Sequence, residues 1–195
     1  MSIIEPLLVV LAGGQSARMQ GIDKAVVTLN GRRMIDILID RFKPVAGSIV
    51  LSGDADRQTG LPTIKDDPSA PHGPAGALWS IAQWIRGLDK PVETFFTVPV
   101  DTPFLPGDLL ERLSLDGATA IACDDNGLHP TIGYWDLATL QDALARCGGR
   151  RNLPLHQIAA LCQARHIPFD PALLLNLNTM DDVRQAEDRL RRSIE

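Results

Sequence analysis

Cysteine is scarce and unpatterned in this sequence. Three occur in 195 residues: Cys123, Cys147 and Cys162. No two stand as a CxxC pair and the number is odd, which argues against a zinc site or a disulfide framework. Reduced thiols in or near the core are the simpler reading. Basic charge is not in excess either. Lys and Arg number 19 against 24 Asp and Glu, for a net charge of -5. A general nucleic-acid binder carries a basic stripe, so that class is disfavoured, although a local phosphate pocket is not. Long apolar runs are missing as well. The opening MSIIEPLLVVLAGG has no basic n-region, and its apolar stretch is too short for a signal peptide or a membrane span. The chain therefore reads as cytoplasmic, with no membrane partner. Two familiar phosphate loops are also absent: GxxxxGK followed by Ser or Thr, and GxGxxG.

What is present is ordinary for a globular protein. The hydrophobic fraction is 45% and the charged fraction 22%. The length suits a single domain, residues 1–195, able to bury its own core. Pro6 to Ala12 is a short, continuously apolar run of the kind that forms a strand buried on both faces. Ile35, Leu38, Ile39 and Phe42 make a helical stripe, ended by Pro44 and Gly47. Ser48 to Ser52 reads as a strand and Thr63 to Lys65 as a short one. Leu78, Ile81, Ala82 and Ile85 mark a helix after Gly73-Pro74, and Thr94 to Val98 a further strand. A helix is expected from near Pro106, with Asp108 in its first turn.

Ala118 to Cys123 reads as a strand, Asp125-Asn126-Gly127 as a tight hairpin turn and His129 to Tyr134 as the return strand. Helices follow over roughly Leu137 to Cys147 and Asn152 to Gln163. Leu173 to Leu177 reads as a late strand, and Thr179 to Asp182 as a capping box opening the last helix. Strands alternating with helical stripes give an α/β fold with a mostly parallel sheet and one antiparallel excursion.

The segment from Leu11 to Lys24, LAGGQSARMQGIDK, lies at the carboxyl end of the first strand, the edge where open α/β sheets bind ligands. Gly13 and Gly14 let backbone N–H groups approach an anion. Ser16 offers a hydroxyl, Arg18 a planar fork of donors and Lys24 a point charge. Together they suit a nucleoside triphosphate. Asp101 follows the strand that ends near Val98 and falls at the same edge. A carboxylate before Thr-Pro also suits a turn. Beside the upstream loop, the better reading is a Mg²⁺ ligand, since Mg²⁺ takes one or two carboxylates with phosphate oxygens and water.

LAGGQSARMQGIDK resembles the LAGGxSxRMGxxDK signature of the molybdenum cofactor guanylyltransferases. The similarity continues through Val26 to Gly31, Asp66 to Pro74, Val98 to Pro106 (VPVDTPFLP), His129 to Trp135 (HPTIGYW) and Leu175 to Asp182 (LNLNTMDD). The resemblance implies a Rossmann-like, three-layer nucleotidyltransferase fold. It also implies transfer of GMP from GTP to the terminal phosphate of molybdopterin, with release of pyrophosphate and a requirement for Mg²⁺. Carried over by position, Leu11, Ala12 and Gly13 touch the nucleotide. Gly14, Ser16 and Arg18 shape the triphosphate loop, and Lys24 contacts phosphate. Ser52, where the family usually has Asn, and Asp66 contact the nucleotide, with Asp67 one residue away in register. Asp101 binds Mg²⁺, and Arg18, Lys24 and Asp101 are the residues expected to carry catalysis. The family's GPLAG reads GPAGA at Gly73 to Ala77, and Gln20 replaces a usual Gly. Transient contacts with molybdoenzymes or other proteins of the cofactor pathway fit the same reading.

Lesser candidates carry two readings each. His129, Pro130 and Thr131 could face the pterin or simply form a hairpin strand. Asn176 and Asn178 could touch molybdopterin, or hold loops ahead of the last helix. Arg150 and Arg151 could guide an anionic substrate, or be a solvated pair. Trp79 could line the nucleotide pocket, although packing suits both Trp79 and Trp84. His72, His156 and His166 show no metal spacing. Two other functions remain in view. One is a related transferase using CTP or another acceptor; the other is a non-catalytic nucleotide-binding partner in cofactor delivery. The first is separated by nucleotide dependence, the second by pyrophosphate release.

Overall fold

The apolar run after Pro6 becomes the middle of a sheet. A computed structural model describes residues 5–13, 18–19, 22–55, 57–71, 74–147 and 153–192. In chain order, β1 (Leu7–Leu11) precedes two small ribbons, β2 (Arg18–Met19) with β3 (Ile22–Asp23) and β4 (Thr28–Leu29) with β5 (Arg32–Arg33). A 3-10 turn, Lys24–Val26, lies between the ribbons. Then come α1 (Met34–Phe42), β6 (Ser48–Ser52), β7 (Thr63–Ile64), α2 (Pro74–Arg86), β8 (Thr94–Pro99) and α3 (Leu109–Ser114). The chain continues through β9 (Ala120–Asp124), β10 (Gly127–Asp136), α4 (Leu137–Arg146), α5 (Leu155–Leu161), β11 (Arg165–Pro168) and α6 (Met180–Arg192).

Seven strands form the main sheet in the order β11-β9-β10-β8-β1-β6-β7. β10 runs antiparallel to both neighbours, and the remaining pairs are parallel. This is the mostly parallel sheet with one antiparallel excursion that the sequence leads one to expect. The alternation of side chains across the sheet builds two cores. Leu7, Val9, Val50, Phe95, Ile121 and Trp135 pack with α2, α4 and α5 on one face. Leu8, Val10, Leu51, Phe96, Val98 and Tyr134 pack with α1 and α3 on the other. Helices therefore cover both faces, giving three layers. The stripe of α2 is buried as its spacing predicts, and Trp79 and Trp84 pack at the margin of that core. Trp135 is fully buried and satisfies its indole by donating to Thr97 Oγ1 at 2.9 Å. α6 closes a third cluster, with Val183 and Ala186 against Val27, Leu29, Met34 and Leu177.

Three expectations change. Leu173 to Leu177 is not a strand. Asp170 starts a turn there, with its side chain accepting from Ala172 N at 2.8 Å and its carbonyl from Leu173 N at 2.9 Å. Leu174 and Leu177 then bury themselves from irregular chain, so Asn176 and Asn178 share no strand face. The late strand is instead β11, parallel to β9 at the sheet edge. Its sequence, RHIP, alternates half-buried and exposed positions and carries too little apolar signal to announce itself. The helix expected near Pro106 begins at Leu109, after a turn closed by Leu109 N on Pro106 O at 3.2 Å, and Asp108 is its N-cap residue. His156 and His166 are exposed, as their lack of metal spacing suggests.

Candidate active site

Topology places the site before any side chain is considered. From β1 the chain moves through α1 to β6 on one side, and then returns through α2 to β8 on the other. The order reverses at β1, and α1 and α2 lie on opposite faces. Such a reversal opens a crevice at the carboxyl ends of the strands. Leu11 is in register with Ser52 on β6 and Pro99 on β8, so three strand ends line up there. Gly13 and Asp101 lie just beyond that line.

Lys24 and Asp101 meet at this edge. Lys24 Nζ donates to Asp101 Oδ2 at 2.8 Å and to Asn178 Oδ1 at 2.6 Å. Lys24 is only 4% exposed, and those two acceptors replace the water its ammonium loses on burial. Local structure aims it. Asp23 caps the 3-10 turn by accepting from Ala25 N at 3.0 Å, which fixes the first residue of that turn, Lys24. Asp101 is held in its own turn. Thr102 Oγ1, fully buried, donates to Pro99 O at 2.9 Å, and Asp101 O accepts from Leu177 N at 2.8 Å. Asn178 stands at the mouth of α6, where the expected capping box forms. Asp182 Oδ2 accepts from Asn178 N and Thr179 N, each at 2.8 Å, and Asp182 N donates to Thr179 Oγ1 at 3.1 Å. Burial opposes the charge of Asp182, yet these donors and nearby Lys24 hold its carboxyl below the usual range.

On the β6 side the backbone itself makes the site. Ala12 N donates to Ser52 O at 2.9 Å, and Gly13 lies against Gly53. A Cβ on either glycine would come within 2.9 Å of the other's backbone, so both positions need hydrogen there. Ser52 is 1% exposed, and its Oγ has no hydrogen-bond partner among the described residues. Asp66 Oδ2 lies 3.5 Å from where a Gly13 Cβ would stand. Burial and the charge of Asp54 push the Asp66 carboxyl above its ordinary range. Asp67 is different. It accepts from Ser69 N and Ser69 Oγ, and these bonds lower its pKa and commit it to a turn. Of the two neighbouring carboxylates, Asp66 is the one near Gly13.

The structure thus brings together Leu11, Ala12, Gly13, Ser52 and Asp66 on one flank, and Lys24 and Asp101 on the other. Arg18 lies on β2, its backbone paired with Asp23. Gly14 and Ser16 lie outside the described residues, as do His72, Gly73, Arg150 and Arg151. His129 is a half-buried strand residue that donates from Nε2 to Asp124 Oδ2 at 3.0 Å. Sequence reasoning missed Arg57. It is 6% exposed, donating to Ala12 O at 2.5 Å and pairing with Asp23 Oδ2 at 3.0 Å. Its one sequence signal is its place, just after a strand that ends beside a phosphate-type loop.

A glycine loop after a central parallel strand, with a lysine and an aspartate meeting at the switch point, defines an α/β nucleotidyltransferase. The chain belongs to the MobA-like NTP transferase domain family, whose model matches residues 8–164. It is 34% identical over 189 residues to a molybdenum cofactor guanylyltransferase of Cereibacter sphaeroides, covering 94% of this chain and 96% of that one. It is 37% identical over 192 residues to one of Rhodobacter capsulatus, covering 95% and 96%. Among solved structures it is similar to molybdopterin-guanine dinucleotide biosynthesis protein A of Archaeoglobus fulgidus, with a TM-score of 0.70, 22% identity, and coverage of 95% and 99%. A 2-C-methyl-D-erythritol 4-phosphate cytidylyltransferase of Thermus thermophilus shares the architecture at a TM-score of 0.65, 17% identity, and coverage of 98% and 100%. At those identities the two structures speak for the fold alone.

Proposed function

We propose that this chain transfers GMP from GTP to the terminal phosphate of molybdopterin, releasing pyrophosphate and forming the guanine dinucleotide cofactor. The observation that carries this reading is the junction of Lys24, Asp101 and Asn178 at the switch point beside the glycine loop. Identities of 34% and 37% over nearly the full length to molybdenum cofactor guanylyltransferases support these substrates.

The chemistry asks for positioning and charge neutralisation rather than a protein nucleophile. An acceptor phosphate oxygen attacks the α-phosphorus. The bond from that phosphorus to the bridging oxygen breaks, and pyrophosphate leaves with the electron pair. Lys24 offers its ammonium to the phosphates in exchange for Asn178 or Asp101. Arg18, Gly14 and Ser16 join it from the sequence pattern. Leu11, Ala12 and Gly13 bring the backbone to the nucleotide, and Ser52 Oγ, without a hydrogen-bond partner among the described residues, gives it a hydroxyl. Asp66 would accept from a guanine N–H edge, and those donors would offset the burial and the Asp54 charge that raise its pKa.

Asp101 fits Mg²⁺ in its donor chemistry. Among the described residues no cluster of three or more ligating side chains exists. One carboxylate completed by phosphate oxygens and water is what Mg²⁺ favours. When bound there, the ion would stabilise charge on the transferring phosphate. Among the described residues no helix is long and apolar enough to cross a membrane. We place the reaction in the cytoplasm, with transient contacts to proteins of the cofactor pathway.

The test is pyrophosphate release with Mg²⁺ and molybdopterin, compared across GTP, CTP and ATP. GTP-dependent release is expected from the wild type. Asp101→Asn keeps an acceptor for Lys24 while removing the ligand charge, and should cost at least ~10²–10³ in turnover with folding intact. Preference for CTP or ATP, or near-normal turnover by Asp101→Asn, would overturn the reading.

A further inference from the structure

Arg57 lies in GDADRQTG, a stretch that reads as a polar loop, yet its side chain is 4% exposed. A guanidinium taken so far from water needs its charge and donors matched. The structure matches them at three places. Nη2 donates to Ala12 O at 2.5 Å and pairs with Asp23 Oδ2 at 3.0 Å, and Nη1 donates to Ala55 O at 2.9 Å. Nε has no partner among the described residues. The backbone of Arg57 is held in turn, because its carbonyl accepts from Arg33 Nη1 at 2.8 Å. Arg33 is fixed by a two-pronged bond to Asp36 of α1, at 2.6 and 2.7 Å.

Ala12 and Asp23 are the two ends of the glycine loop. The chain leaves the main sheet at Ala12, Asp23 ends the β2–β3 ribbon, and one guanidinium nitrogen binds both. Asp23 also divides its oxygens: Oδ2 goes to Arg57 and Oδ1 to Ala25 N. The residue between Asp23 and Ala25 is Lys24, whose Nζ stands 2.8 Å from Asp101. A continuous path therefore runs from Arg57 through Asp23 and the 3-10 turn to the lysine. We propose that Arg57 is a positioning residue: it closes the base of the loop and, through Asp23, sets where Lys24 Nζ stands relative to Asp101. Its effect on turnover rests on the transfer reading given above. Its effect on Lys24 does not. Lysine cannot replace it, because a single ammonium lacks the planar fork that spans these acceptors.

The test uses Arg57→Lys, Arg57→Met, Asp23→Asn and the double variant Arg57→Lys with Asp23→Asn. Misplacement of about an ångström can cost on the order of 10²-fold in rate, so Arg57→Lys should lower kcat/KM for GTP by ~10–10² per folded molecule. Asp23→Asn should reproduce the loss, and the double variant should be little worse than either single one. A purely structural role would instead lower Tm and the folded fraction, leaving kcat and KM of the folded molecules unchanged. A second readout needs no turnover: the ¹⁵Nζ resonance of Lys24. Arg57→Lys and Asp23→Asn should each shift it. Unchanged kinetics per folded molecule, additive losses in the double variant, or an unmoved Lys24 resonance would each overturn the proposal. Absence of GTP turnover in the wild type would count against the transfer reading, and the resonance would still decide the role of Arg57.

Discussion

The two flanks of β1 bury cations in opposite ways. On the β6 flank, Arg57 binds two backbone carbonyls and the cap carboxylate Asp23. On the β8 flank, Lys24 binds two side chains, Asp101 and Asn178. Carbonyls belong to the fold and cannot leave, so Arg57 is fixed. Side-chain acceptors can be replaced by phosphate oxygens without breaking a strand, so under the proposed function Lys24 exchanges its partners. Under the proposed roles, one flank anchors Ala12 and Asp23 while the other keeps its cation exchangeable. Lys as a mobile point charge and Arg as a rigid fork suit those separate tasks.

Breaking the exchangeable side should cost most. Lys24→Met removes a donor from the reacting phosphates, and turnover should fall by ~10²–10³. Asp101 is partly exposed and can be solvated, so thermal melting should show little change. Breaking the fixed side should instead show in stability. Gly53→Ala places a methyl group 2.9 Å from Gly13 backbone, at a φ of +141° that side chains avoid. That should cost about 2 kcal/mol, read as a lower urea midpoint at unchanged slope.

Part of this contrast was legible in the sequence. The apolar runs at β1 and β6 state buried parallel strands plainly, and Gly13, Lys24 and Asp101 carry their chemistry in their identities. The pairing of Lys24 with Asp101 was not legible, because the two are 77 residues apart and only the strand order joins them. Arg57 was hidden for a related reason. A lone arginine in a turn-rich segment reads as solvated, and its burial comes from Ala12 and Asp23, which reach it through the tertiary fold. The false strand at Leu173 to Leu177 arose because apolar residues plugging a core from irregular chain carry the same composition as a strand. Asp170 and Pro171 were the turn signal that decided the matter.

Smaller perturbations sharpen the comparison. Asp182→Ala removes the α6 cap that steadies Asn178, and should cost ~1 kcal/mol. Because the Asp182 carboxyl sits below its ordinary range, its contribution is present above that range and lost as pH falls through the lowered value. The wild type and Asp182→Ala should therefore converge in stability in acid, as chemical denaturation across pH would show. Asp66 works in the opposite sense. Its carboxyl is raised, so its charge opposes folding above the ordinary carboxylate range and the penalty vanishes below it. Asp66→Asn should raise Tm slightly at neutral pH, while weakening GTP binding. A variant with unchanged stability and unchanged GTP affinity would remove Asp66 from the account.

The central claim is that Lys24 exchanges partners while Arg57 does not. A crystal structure with GTP and Mg²⁺ tests it directly. Lys24 Nζ is expected in hydrogen-bond contact with a phosphate oxygen, Asp101 on the metal, and Arg57 still bound to Ala12 O and Asp23. A triphosphate seated away from the β1 loop, or Lys24 still held by both Asp101 and Asn178 with nucleotide bound, would contradict it.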